Sequence, residues 1–179
     1  MITRPVVRTS SCGRLFDAVA AICGIGVESS YEGEPAMLLE AAAQEGKTGA
    51  PYPIHLDMEV LPWKVDTRAM LWKISNEIES GTDPHNVARC FHDSVALMID
   101  SVCRELRERN GVDKVCLSSG VFQNFTVLAQ ANNPLERSGF QVFLHSQVPP
   151  NDGGILLGQA VIGAAYLERQ GAHVSRNPR

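Results

Sequence analysis

The chain has 179 residues, of which 44% are hydrophobic and 20% charged, and its formal net charge is −4. This composition is typical of a globular protein and excludes wholesale disorder, and the mild acidity gives no general field for nucleic acid. No apolar run reaches the length of a bilayer span and no N-terminal signal pattern is present. We therefore expect a single cytoplasmic domain without nucleic-acid or membrane partners.

Five cysteines form an odd set that lacks the spacing of a metal site. Several of them lie in apolar helical or strand patterns, which indicates buried free thiols in a reducing compartment. The five are Cys12, Cys23, Cys90, Cys103 and Cys116.

The first third of the chain predicts two helices and one short extended segment. The capping run Thr9–Ser11 starts a helix that Gly24 ends. Pro35 and Gly46 frame a second helix, because proline is favoured near a helix start and glycine just past its end. Apolar and polar residues then alternate over Ile54–Met58, which predicts a short strand or hairpin.

Two more helices are predicted in the middle of the chain. Asp66 or Thr67 is the expected cap of a helix that runs to about Ser80, with apolar residues on one face. Asp83 and Pro84 start the longest helix, in which apolar residues follow a single stripe from Val87 to about Arg109.

The last third of the chain alternates strands and helices. We predict a strand at Val115–Leu117, a helix from Val121 to about Ala131, a strand at Gln141–His145 and a helix from Gly153 to about Glu168. Helices dominate, and these strands are too few for a complete sheet of the usual size. The predicted fold class is a helix-rich α/β structure, and the shortage of strands indicates a missing N-terminal part.

The turn Ser118–Gly120, between a strand and a helix, is the first candidate site. Small residues there let a nucleotide approach the bare N–H groups of a helix start, and Gly120 permits close contact. Asn124, expected one turn into the helix, could hydrogen-bond a base or sugar edge. The alternative is a tight turn that needs small residues for its shape alone.

Asp152, in the loop Val148–Gly154, is the second candidate. A carboxylate between an asparagine and two glycines could hold a divalent cation near phosphate oxygens. The alternative is an Asn-Asp turn that caps the closing helix. Two such turns, each closing a strand, suggest a ligand crevice at the ends of a sheet.

Two further carboxylates and the histidines have weaker signals. Asp17 lies one turn into the first helix and could be a solvated residue favoured by the helix dipole. Glu28 is either a loop charge or an acceptor for both ribose hydroxyls. The five histidines are scattered, without the i, i+4 pair that grips a metal, so we interpret them as surface or core residues.

Five segments of the chain, in the same order throughout, resemble the C-terminal region of the HypF carbamoyltransferases of nickel–iron hydrogenase maturation. The resemblance covers about residues 8 to 168. The segments are Thr9–Ala21, Tyr31–Met37, Ala88–His92, Leu117–Asn124 and Val148–Gly154.

The resemblance implies a lobe of the actin/Hsp70/sugar-kinase superfamily, which is ribonuclease H-like, akin to the tRNA threonylcarbamoyl-transferases. It would be an incomplete half of a two-lobed domain. Residues 9–168 would form this lobe, residues 1–8 a disordered or extended lead-in and residues 169–179 a tail. Met1 would then begin a fragment of a longer carbamoyltransferase, and the fragment alone would be inactive.

The resemblance also implies an activity. Family members use ATP and carbamoyl phosphate to make a carbamoyl-adenylate and pass the carbamoyl group to the C-terminal cysteine of the partner protein HypE. By resemblance, the adenosine contacts would be Gly24, Glu28, Gly120 and Asn124, with Asp17 supporting the pocket. Asp152 would be the last ligand of a divalent metal (zinc, iron or magnesium) whose histidine ligands lie outside this chain.

The sequence departs from the family pattern in two places. Family members usually have glycine where this chain has Ser119, which adds a hydroxyl in or beside the pocket. The paired histidines of the metal site and the first phosphate-binding hairpin are absent. A lobe of the same fold that binds nucleotide or a partner without catalysis is therefore the alternative, and a small-molecule kinase is a more distant one. An exposed half-crevice would also make a homodimer plausible.

Overall fold

A computed structural model describes residues 9–59 and 61–174. In these residues the chain forms six α-helices: α1 (Cys12–Ile22), α2 (Glu34–Glu45), α3 (Arg68–Glu79), α4 (Pro84–Asn110), α5 (Phe125–Arg137) and α6 (Ile155–Val174). The same residues form four strands: β1 (His55–Asp57), β2 (Lys64–Asp66), β3 (Lys114–Leu117) and β4 (Gln141–Leu144). Every predicted helix and strand is present, and their bounds differ by a few residues.

The strands pair in two separate sheets. β1 and β2 form an antiparallel hairpin, in which β1 lies within the alternating segment Ile54–Met58 and β2 lies beyond it. β3 and β4 are parallel, with Leu117 opposite Leu144 at their carboxyl ends. Because parallel strands need a crossover connection, α5 links the two and packs beside them. The carboxyl ends of β3 and β4 therefore meet at one edge.

Local capping explains where the longest helix begins and ends. The Asp83 carboxylate accepts a hydrogen bond from the backbone N–H of His85 at 3.0 Å, and Pro84 occupies the first turn. At the other end, Gly111 adopts a φ of +69° and its N–H reaches the Arg107 carbonyl at 2.8 Å. The helix thus starts where Asp83 and Pro84 predict, because a first-turn proline lacks only an N–H that has no helical partner there.

The main hydrophobic core lies among α1, α2, α3 and α4. Phe16, Leu39, Ile74 and Phe91 are each at most 1% exposed there. The helices α2 and α4 approach closely at Gly46, where an added Cβ would lie 2.0 Å from the His85 carbonyl oxygen. Only glycine fits at this crossing.

A smaller core joins the strands to the helical body. Leu117 of β3, Ala131 and Leu135 of α5, and Phe140 before β4 pack with Ala96 of α4. This cluster fixes the parallel strand pair against α4 and α5, and so fixes the turns that follow both strands.

The closing helix is longer than predicted and exposes much apolar surface. It continues to Val174, so its last residues occupy part of the range 169–179 that was expected to be a tail. Over residues 155–169, seven large apolar side chains are more than half exposed: Ile155, Leu156, Leu157, Val161, Ile162, Tyr166 and Leu167. Residues 1–8 and 175–179 lie outside the described residues. None of the helices described is long and apolar enough to span a membrane.

The cysteines are all free thiols in different degrees of burial. Burial raises the pKa of Cys23 to about 11. Cys116 is exposed, contrary to the expectation of a buried thiol. Its neighbours Val115 and Leu117 face the core, so alternation along β3 turns Cys116 outward.

Candidate functional site

Two turn segments lie side by side at the carboxyl edge of β3 and β4. The first turn segment, Ser118–Asn124, follows β3, and the second turn segment, Asn151–Gly154, follows the loop after β4. The backbone N–H of Ser119 donates to the carbonyl of Pro150 at 3.0 Å, which ties the two together. The structure therefore brings the two turns together, and the ligand crevice between them stays a prediction.

A serine–histidine contact spans the same edge. The Oγ of Ser118 lies 2.8 Å from the Nε2 of His145, and both residues are exposed. Sequence interpretation placed His145 among scattered surface or core histidines. The strand register could have identified it, because residues that follow Leu117 and Leu144 in paired parallel strands must be neighbours.

Ser119 is held in a backbone conformation that favours glycine. Its φ is 128° and its ψ is 168°, and it is the one positive-φ residue other than glycine among the described residues. A side chain in this region strains the backbone by roughly 1–3 kcal/mol. The carbonyl of Ser119 accepts from the N–H of Phe122 at 3.0 Å, so the strained residue forms the start of a short 3-10 helix.

Asn124 is a buried helix cap, and its expected place one turn inside the helix is wrong. The predicted helix start at Val121 falls in the 3-10 helix Gly120–Gln123, and α5 begins only at Phe125. The Oδ1 of Asn124 accepts from the N–H of Val127 at 2.9 Å. Its role in contacting a nucleoside stays a prediction.

The N–H groups at the start of α5 are not bare, which corrects another expectation. Besides the Asn124 contact, the Glu40 carboxylate accepts from the N–H of Thr126 at 3.0 Å. For the N–H groups of Gly120 and Val121 we find no acceptor among the described residues. An anion bound at this turn would therefore accept hydrogen bonds from N–H groups of the 3-10 helix and not from those of α5.

His92 contacts Asn124 from the core side. The Nε2 of His92 lies 3.0 Å from the Nδ2 of Asn124, and its Nδ1 lies 2.7 Å from the Ala88 carbonyl oxygen. Desolvation by burial lowers the pKa of His92 below its ordinary value of 6.5, and the Ala88 carbonyl opposes this effect.

A cavity of about 530 Å³ lies beside α1 and the loop that follows it. Asp17 lines it and accepts a hydrogen bond from Arg14 at 3.0 Å. Gly24 and Glu28, the other candidates from this region, are not among the lining residues, whereas Gly33 is. Gly33 directly precedes α2 and has a φ of +86°. It lies in the segment Tyr31–Met37 that carries the family resemblance, and this location could have marked it as a candidate site residue.

Asp152 is exposed at the start of the second 3-10 helix, where Asn151 caps the turn by accepting from the Gly153 N–H at 3.0 Å. Across residues 9–59 and 61–174 there is no group of three or more His, Cys, Asp or Glu residues that could hold a metal. One carboxylate is too few for a resident cation. The metal role of Asp152 stays a prediction that needs ligands from outside this chain.

Comparison with known proteins identifies the family. Residues 3–159 match the family described as "Carbamoyltransferase, Kae1-like Domain, second subdomain". The chain is 36% identical over 151 residues to the carbamoyltransferase HypF of Synechocystis sp., covering 84% of this chain and 19% of the relative. It is 39% identical over 161 residues to the HypF of Rhodobacter capsulatus, covering 89% and 20%.

Solved structures agree with the sequence comparison. A full-length HypF in its phosphate- and nucleotide-bound form has a TM-score of 0.81 and 36% identity, covering 89% of this chain and 21% of that chain. T. kodakarensis HypF has a TM-score of 0.74 and 31% identity, covering 89% and 20%. The chain thus spans about a fifth of the length of these relatives. It has the helix-rich α/β fold of a Kae1-like domain, and it belongs to the HypF carbamoyltransferase family.

Proposed function

We propose that this chain forms one wall of the nucleotide crevice of a carbamoyltransferase that acts in nickel–iron hydrogenase maturation. The enzyme would use ATP and carbamoyl phosphate to form a carbamoyl-adenylate, and the acceptor would be the C-terminal cysteine of a HypE-type partner. Family membership supports the reaction class. The observation that carries the site is the 3.0 Å bond between Ser119 and Pro150, which brings the two turn segments together.

In the transfer step, the acceptor thiolate attacks the carbamoyl carbon. A carbon–sulfur bond forms, the carbon–oxygen bond to the phosphate breaks, and AMP leaves with the electron pair. The thiol proton has gone to solvent beforehand. The N–H groups of Gly120 and Val121, at the start of a 3-10 helix, would donate to anionic oxygens of the adenylate. No side chain of this chain needs to act as a covalent nucleophile.

The nucleoside would lie along α1 and the first turn segment. Asp17 lines the 530 Å³ cavity, and α1 also touches the 3-10 helix that contains Gly120. This arrangement supports Asp17 as a nucleoside contact. Gly24, Glu28, Gly120 and Asn124 do not line the cavity. All four remain proposed contacts, and Gly120 and Asn124 have the added support of their place in the first turn segment.

Asp152 would complete a divalent metal site with histidines supplied from outside this chain. The position of Asp152 supports this metal role, because its carboxylate is exposed on the second turn segment and lies next to the strained turn at Ser119. A bound cation there would neutralise phosphate charge.

The test is a chimaera of the Synechocystis relative in which the matching fifth of the chain is replaced by this sequence. Labelled carbamoyl phosphate, ATP and an acceptor protein ending in cysteine are supplied, and label on the acceptor is measured. We expect transfer by the chimaera, loss of at least 100-fold in Asp152→Ala, and near-normal transfer in the neighbouring control Asn151→Ala. Equal transfer by all three proteins would remove Asp152 from the mechanism.

Nucleotide binding by this chain alone distinguishes a lobe that needs the rest of the enzyme from a lobe that binds nucleotide without catalysis. Calorimetry with AMP should give weak or no heat, because the proposed opposite wall of the crevice lies outside the chain. Tight binding by the isolated chain would instead favour a nucleotide-binding lobe that is complete in itself.

A further inference from the structure

His92 is a fully buried imidazole that the proposed reaction does not use. It is 0% exposed on α4 and lies between two aromatic rings of the main core. Its ring centroid is 5.4 Å from that of Phe16 and 5.8 Å from that of Phe91, both in edge-on geometry. These contacts leave the ring no room to rotate freely, so the direction of its two nitrogens is fixed by packing.

The hydrogen bonds determine which nitrogen carries the proton. A carbonyl oxygen only accepts, so the Nδ1 that faces the Ala88 oxygen at 2.7 Å must be the protonated nitrogen. The neutral ring then presents Nε2 as an acceptor. The group opposite it, at 3.0 Å, must donate, which identifies that atom of Asn124 as the amide nitrogen.

The same conclusion follows from the other end of the amide. The backbone N–H of Val127 donates to the side chain of Asn124 at 2.9 Å, so the atom facing it must be the carbonyl oxygen Oδ1. Two independent neighbours thus require one orientation. A flipped amide would place its nitrogen against a backbone N–H and its oxygen against a ring acceptor.

We propose that His92 is a positioning residue for nucleotide binding: it holds the Asn124 carboxamide in one orientation, and the remaining N–H of that amide donates to an acceptor atom of the bound nucleoside. This inference rests on the proposed function, in which Asn124 contacts the nucleoside. Asn124 keeps 9% of its surface exposed at the first turn segment. The acceptor would be a ribose hydroxyl oxygen or a ring nitrogen of the base.

Burial keeps His92 neutral near pH 7. Burial and Arg89 lower its pKa, whereas the Ala88 carbonyl, Glu40 and Asp93 raise it, and burial has the largest effect. Protonation would put a second ring N–H against the amide N–H of Asn124, and the orientation would be lost. Acid should therefore weaken both the cap of α5 and the proposed nucleotide contact.

The first experiment reads the tautomer in this chain directly. Nitrogen chemical shifts of the His92 ring, measured by NMR at pH 7.5, should show hydrogen on Nδ1 and none on Nε2. The opposite tautomer would overturn the proposal, because Nε2–H cannot accept from Asn124. This measurement does not depend on any catalytic activity.

The second experiment compares His92→Gln with His92→Leu in the chimaera. Glutamine can still accept from Asn124, whereas leucine fills space without a hydrogen bond. We expect KM for ATP to rise ~10-fold in His92→Leu, in line with the loss of one oriented hydrogen bond, and kcat to change less. In His92→Gln, KM should return toward the unmodified value. Equal KM in both variants and the unmodified chimaera would refute the positioning role, whereas an inactive unmodified chimaera would refute the proposed function.

The third experiment uses pH. The folded pKa of His92 is lowered, so as pH falls below the ordinary value of 6.5 the unfolded chain takes up a proton before the folded chain does. The free energy of unfolding should therefore decline from about pH 6.5 downward until the folded pKa is passed. His92→Gln should lose this part of the decline, as measured by urea unfolding. A decline identical in both proteins would contradict the assigned neutral state.

Discussion

The two turn segments share an order of elements but differ in what their asparagines cap and in their surroundings. In each, a β-strand is followed by a loop, a short 3-10 helix and an α-helix; Asn124 follows the first 3-10 helix and caps α5, whereas Asn151 caps the second 3-10 helix itself. Asn124 of the first is buried against His92, whereas Asn151 of the second is only partly buried and caps its own turn. Local sequence thus sets the shape of a turn, and contacts from distant helices decide whether it is rigid.

The largest difference should appear when the two asparagines are changed in the same way. Asn124→Ala removes a cap and leaves the Nε2 of His92 buried without a partner, which should lower the free energy of unfolding by about 2–3 kcal/mol. Asn151→Ala removes only a local cap and should lower it by less than about 1 kcal/mol. Urea unfolding monitored by circular dichroism measures both. Equal losses would show that the first segment gains nothing from its contact with α4.

A smaller effect of opposite sign is expected at the strained residue of the first turn segment. Ser119→Gly relieves a backbone conformation that disfavours side chains, and should stabilise the chain by about 1 kcal/mol. Ser118→Gly is the matched control. Ser118 lacks a positive φ and loses its contact with His145, so this change should destabilise the chain. If Ser119→Gly is instead destabilising, the strain is absent in solution.

The smallest effect on stability is expected where the second turn segment leads into α6. Leu156 and Ile162 are 72% and 71% exposed, so replacing both with glutamate should change the free energy of unfolding by less than about 0.5 kcal/mol for each substitution. The same double variant tests the expected homodimer. Sedimentation should show the unmodified chain associating as its concentration rises and the variant remaining monomeric. Association of both proteins to the same extent would exclude α6 from the interface.

Much of the fold could be predicted because its signals are local. The cap at Asp83, the prolines near helix starts and the glycine after α4 are visible within a few residues of each boundary. The neighbouring positions of the two turn segments could also be predicted, because both follow strands that are joined by a helix. The family resemblance identified Ser119 as a departure from a usual glycine, and the structure adds that its φ is positive.

The side-chain contacts and the cavity of the candidate site could not be predicted from the sequence, because they depend on residues that are far apart in the chain. His92 is 32 residues from Asn124, and no local pattern shows that they meet. The same applies to the cavity beside α1, where Gly33 approaches only because α2 folds back along α1. Sequence reasoning therefore placed Asn124 inside a helix that begins after it.

The contact between Glu40 and Thr126 has a consequence for folding kinetics. The two residues are 86 apart, and the carboxylate of α2 completes the first turn of α5. Closing so long a loop is entropically unfavourable and slow compared with forming either helix. During refolding, the amide of Thr126 should gain protection from hydrogen exchange later than amides in the middle of α5.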